Sequence, residues 1–156
     1  MTNNEILKRL RYTFDYDDLK MMAVFELADQ KVTRTQISNW LKNDDADGFV
    51  ECSDTELAIF LNGFIIEKRG PKEGAEKPPE PETKLNNNII FNKLKIALNY
   101  KAEDVIAIMN LADFNMSKHE LSAFFRRPDH KHYQPCKNQI LRNFMNGVQQ
   151  KYRPKN

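Results

Sequence analysis

Apolar residues in this chain recur at spacings of three and four, with little strict alternation. Ile6, Leu7, Leu10 and Phe14 make one such face, and Ile90, Phe91, Leu94 and Leu98 make a second. That period predicts helices. A second helix is expected near 18–28 and again near 102–112. A third opens on a capping box, Thr33-x-x-Gln36 and Ser117-x-x-Glu120. It is expected to bury Ile37, Trp40 and Leu41 in one place, and Leu121, Phe124 and Phe125 in the other. A fourth begins near Cys52 or Cys136 and carries Leu57, Phe60, Leu61 and Phe64, or Leu141, Phe144, Met145 and Val148. The Asn3–Asn4 and Asn87–Asn88 pairs are expected to cap the first helix of each set. Five glycines and few Val/Ile/Thr alternations argue against a β-rich fold.

The elements come in pairs because the sequence is written twice. Residues 3–69 align without a gap on 87–153. NNEILKRLRYTF lies on NNIIFNKLKIAL, LADQKVTRTQISNWL on LADFNMSKHELSAFF, and CSDTELAIFLNGF on CKNQILRNFMNGV. Shared residues include Tyr16/Tyr100, Asp29/Asp113, Asp45/Asp129, Cys52/Cys136, Asn62/Asn146 and Gly63/Gly147. Internal repetition of this length marks a duplicated unit. Residues 70–84, GPKEGAEKPPEPETK, hold four prolines, seven charges and no large apolar side chain. Such a stretch reads as a semi-rigid linker that could span roughly 45 Å when extended. The expected organisation is a first repeat over 1–69, a linker over 70–86 and a second repeat over 87–156. The expected fold is all-α: two tandem four-helix repeats, about eight helices, packed as a pseudo-twofold pair.

The segments NNEILKRLRY, SNWLKNDDADGFVECSD, FLNGFIIEKRG, LNNNIIFNKLKIAL, RRPDHKHYQPC and LRNFMNGV resemble the YehS-like family of small bacterial proteins, a duplicated domain of unknown function. The resemblance covers everything but the linker. It implies a cytoplasmic helical protein with this duplication, and it implies no catalytic or binding residue.

The densest chemistry lies in RRPDHKHY, residues 126–133, whose counterpart is KNDDADGF, residues 42–49. Asp45/Asp129 and Phe49/Tyr133 are shared in kind. They are expected to shape the loop, the aspartate by accepting backbone N–H groups and the ring by plugging the bundle edge. Arg126, Arg127, His130, Lys131 and His132 belong to the second copy alone, so a function of this loop would belong to that copy. His130 and His132, with His119, Asp129 and Cys136 nearby, are weak metal candidates at no recognised zinc spacing. A Cys136–His132 nucleophile pair is disfavoured, because Cys52 recurs in a copy without a histidine. No metal, cofactor or catalytic residue is expected. Asn62-Gly63 and Asn146-Gly147 fall inside helices, where glycine costs about 1 kcal/mol relative to alanine. They are expected to form a central polar contact, the glycines admitting a second backbone across the two copies.

Charge separates the halves. Residues 3–70 hold nine Lys/Arg against thirteen Asp/Glu, the linker 71–86 three against four, and residues 87–156 twelve against five. Lys118, Arg126, Arg127, Lys131, Lys137 and Arg142, with His130, His132 and Tyr133, are candidates for holding a polyanion such as RNA or DNA. The acidic surface around Asp44, Asp45 and Asp47 suits a protein partner, or self-association through acidic–basic complementarity. No glycine-rich phosphate loop and no Ser-His-Asp set points to an enzyme. No apolar run spans a membrane, and the start of the chain lacks a signal-peptide layout. The expectation is a cytoplasmic, non-enzymatic binding module, with nucleic-acid binding as the alternative.

Overall fold

A computed structural model describes residues 1–154. The described residues form eight α-helices and one short 3-10 turn, with no strand. The helices are α1 (Asn3–Thr13), α2 (Asp18–Leu27), α3 (Arg34–Leu41), α4 (Asp54–Arg69), α5 (Asn87–Ala97), α6 (Ala102–Leu111), α7 (Lys118–Ser122) and α8 (Asn138–Tyr152). The chain divides between Leu85 and Asn86 into two compact units, each carrying one four-helix set. The 3-10 turn, Ala123–Phe125, completes the third helix of the second set.

Local chemistry starts and stops these helices. Thr33 and Ser117 form the expected capping boxes with Gln36 and Glu120. Thr2/Glu5 and Ser53/Glu56 form two more. Asn86 caps α5 by accepting the Ile89 N–H. At the other ends, Asp15, Asp29, Asn99 and Asp113 take left-handed backbone, with φ of 55°, 62°, 58° and 57°. The residue after each one donates its N–H back across the last turn: Tyr16 to Arg11, Gln30 to Phe25, Tyr100 to Lys95, Phe114 to Met109. Asp and Asn tolerate that conformation better than other non-glycine residues. This accounts for the Asp29/Asp113 identity.

The two Asn pairs do not cap their helices. Asn4 is buried and reaches across the repeat, donating Nδ2–H to the Trp40 and Val50 carbonyls and accepting the Cys52 N–H on Oδ1. Asn88 repeats all three bonds, to Phe124, Gln134 and Cys136. Asn3 and Asn87 bind the next carbonyl along, that of Cys52 or Cys136. An amide carries both donors and an acceptor, so one side chain can stitch the loop between the third and fourth helices onto the first helix.

In the first unit α2 packs on α4, and in the second α6 packs on α8. Phe25, Ile37, Leu57, Phe60, Leu61 and Phe64 are fully buried in one, and Phe91, Met109, Leu141 and Phe144 in the other. A Cβ on Gly63 would stand 1.9 Å from the Val24 carbonyl oxygen, and one on Gly147 2.1 Å from that of Ile108. Each glycine therefore admits the neighbouring helix of its own repeat. This corrects the expectation of a close approach across the copies. Asn62 is buried on α4, and Asn146 borders a groove of about 450 Å³ with Asp113, Gln149 and Arg153 of the second repeat. No helix among the described residues is long and apolar enough to cross a membrane.

Candidate functional site: a basic groove on the second repeat

The loops between the third and fourth helices share one backbone design. In the first repeat Ala46, Phe49 and Val50 donate N–H groups to the Asn43, Ala46 and Asn39 carbonyls. In the second, His130, Tyr133 and Gln134 donate to Arg127, His130 and Ala123. Every bond maps onto its counterpart. The expected role of the shared aspartates in this turn does not hold. Asp129 pairs at 3.2 Å with Arg127, both largely exposed. No backbone N–H reaches either aspartate among the described residues. The turns close by main-chain bonds, to which the second repeat adds the His132 N–H donating to His130 Nδ1. Phe49 and Tyr133 are half-buried at the loop edge.

On identical backbones the side chains diverge. In the first repeat Trp40 stacks on Phe25 with ring centroids 5.3 Å apart and is buried. The smaller Phe124 takes that place in the second repeat and is only half-buried. Beside it opens a groove of about 480 Å³. Its floor is apolar: Phe114, Met116, Phe124 and Ile140. Its rim is basic: Arg126, Lys131 and Lys137, with His119 and His132. Glu120 also borders it, with its carboxylate engaged in the capping box. The Ser117 N–H and hydroxyl hold that carboxyl below its usual range.

Of the residues singled out from the sequence, His119, Arg126, Lys131, His132 and Lys137 come together on this groove; Lys118, Arg127, His130, Tyr133 and Arg142 do not border it. Lys118 is paired with Glu103. Arg142 contacts Gln139 at 3.4 Å. His130 accepts the His132 backbone N–H on Nδ1 and sits 3.4 Å from Arg126 Nη1. Arg126 Nε is buried without a hydrogen-bond partner. No group of three or more His, Cys, Asp or Glu side chains is placed to hold a metal ion among the described residues. Burial pushes the Cys52 and Cys136 thiols up to about 12, which leaves them protonated and unreactive at neutral pH.

The floor was not anticipated as a site, although the internal alignment carries its signal. Phe114 and Ile140 stand where the first repeat has Gln30 and Glu56. Lys137 and Ile140 replace Ser53 and Glu56, the capping box of α4. As a result Lys137, the N-cap of α8, makes no side-chain cap bond.

Fold and site together define an all-α protein made by internal duplication, with a basic, apolar-floored groove on one copy. The chain belongs to the family described as "Protein of unknown function (DUF1456)", whose model matches residues 3–70 and 87–153. Among curated proteins it is similar to "Uncharacterized protein YehS" of Escherichia coli (strain K12), with 40% identity over 148 residues, covering 95% of this chain and 94% of that one. No solved structure matches it.

Proposed function

We propose that the protein is a non-enzymatic docking module whose working surface is the groove of the second repeat, and that its partner is an acidic protein segment carrying an apolar side chain. The observation that carries this reading is the abandoned cap of α8. The first repeat keeps Ser53 and Glu56, and a cap of that kind stabilises a helix by about 1 kcal/mol. The second repeat has a lysine at that helix start, where the helix dipole disfavours a cation, and an isoleucine three residues later. Both border the groove. Local rules broken together at one place are characteristic of a site kept for binding.

The shape favours a protein segment over nucleic acid. Lys118 and Arg127 have acidic partners within the repeat. The cations on the groove therefore ring a concave apolar floor and do not extend it into a stripe that would follow a phosphate backbone. The alternative, single-stranded RNA or DNA with a base against Phe124, draws on the same residues.

Fluorescence anisotropy separates the two readings. A labelled Asp/Glu-rich peptide with one leucine is titrated beside single- and double-stranded RNA and DNA, over a salt series. Lys131→Asp/Lys137→Asp serves as the groove variant. Peptide binding that weakens with salt and in the variant is expected. Nucleic-acid binding with the same sensitivities, and no peptide binding, would replace this reading by the alternative.

A further inference from the structure

We infer that the groove takes a second copy of this chain, through the acidic loop of the first repeat. This rests on the docking reading above and names its partner. Residues 43–51 share the backbone path of the groove loop but carry the opposite charge, with Asp47 at the position of Lys131. Asp44, Asp45, Asp47 and Glu51 are all exposed. None makes an ion pair or a side-chain hydrogen bond among the described residues. Between Asp47 and Glu51 stands Val50, 47% exposed. Its backbone is held at both ends, its N–H by the Asn39 carbonyl and its carbonyl by Asn4. The loop is therefore a fixed apolar tip flanked by uncompensated carboxylates.

The groove supplies the complement. Lys131 and Lys137 are exposed and have no ion pair among the described residues, and the groove that both border is also lined by Phe114, Met116, Phe124 and Ile140. Val50 against Phe124 and Ile140, with Asp47 and Glu51 towards the two lysines, satisfies both surfaces at once. Such complementarity favours encounter and excludes like-charged partners. A single loop in a groove of about 480 Å³ belongs to the small, weak class of interfaces. The contact joins two different patches, so each pairing leaves one loop and one groove unused. It must either grow into a chain of molecules or close into a ring.

Sedimentation velocity over a wide concentration range tests this on the full-length protein. Expected is a mass that rises with concentration at low salt, and an association about tenfold or more weaker at high salt. Two variants of exposed residues divide the contact, Lys131→Asp/Lys137→Asp in the groove and Asp47→Lys/Glu51→Lys in the loop. Each alone places like charges on both surfaces, and association is expected to fall by about a hundredfold. Mixed together, the two variants restore opposite charges and should associate again. A monomeric wild type at every concentration overturns the inference. So does association indifferent to the two variants, or a mixture that fails to recover. A monomeric wild type that still binds the acidic peptide removes only the self-docking and leaves the docking reading in place; loss of both removes both.

Discussion

At the scale of single residues, the most consequential side chains are the two buried asparagines. Asn4 and Asn88 each make three bonds to backbone groups 36 to 48 residues away. The sequence marks them as shared, and their position just inside a helix suggests a cap. Nothing within a few residues reveals the distant partners, because these depend on how the loop folds back. Two of the groups that Asn88 holds, the Phe124 and Gln134 carbonyls, belong to groove residues. Asn88→Ala leaves two part-buried carbonyls and the buried Cys136 N–H without partners. Each such orphan costs about 1–3 kcal/mol, so a loss of about 3 kcal/mol is expected after partial hydration. Asn4→Ala should cost a similar amount. Urea denaturation reads both losses. The two variants differ in function, because only Asn88→Ala should also weaken binding of the acidic peptide.

At the scale of elements, helices were legible, and so were the starts of the third helix in each repeat. The N-terminal boxes are short-range patterns of hydroxyl and carboxyl or amide, and they form where the spacing places them. The C-terminal stops use Asp or Asn in left-handed backbone, a weaker signal than the glycine commonly found there. The third helix of the second repeat departs from its twin. It gives way to a 3-10 turn at Ala123, and Phe124 and Phe125 stay half-buried, Phe125 standing edge-on to Phe91 at 4.9 Å. The smaller Phe124 stands at the position of Trp40 and lines the groove. The Asn-Gly pairs illustrate a different limit. A glycine that breaks helix preference twice must serve packing, yet the sequence does not say which backbone comes close. Gly147→Ala gains about 1 kcal/mol of helix propensity. It also drives a methyl to 2.1 Å from the Ile108 carbonyl oxygen, a contact that forces α6 and α8 apart. Overpacking of this severity costs about 3 kcal/mol or more, so a net loss of at least about 2 kcal/mol is expected. Gly63→Ala should behave alike against Val24, and thermal unfolding measures both.

At the scale of the whole molecule, duplication and charge division were plain from the sequence, and the linker's attachment was not. Asp54 Oδ1 accepts Asn3 Nδ2–H at 2.7 Å, and Oδ2 accepts the Leu85 N–H at 2.9 Å. The end of the linker is thereby fastened to the first repeat. The second repeat has Asn138 at this position, accepting only the Asn87 side chain among these bonds. An acid suits position 54 because two donors converge there. The Asn3 bond, and then the Leu85 N–H, hold the Asp54 carboxyl below its usual range. A carboxyl group whose pKa is lower folded than unfolded adds stability above its unfolded pKa, about 3.9. That contribution disappears as pH falls through the folded value. Asp54→Asn mimics the second repeat, keeps one acceptor and loses the charge. Because the site is half-open to water, the expected loss at neutral pH is about 1 kcal/mol or less. The difference from wild type should be constant down to about pH 4 and shrink below it. Guanidinium midpoints for both proteins between neutral and acid pH measure this. Curves that stay parallel through the acid range would mean that the Asp54 charge contributes nothing to holding the linker.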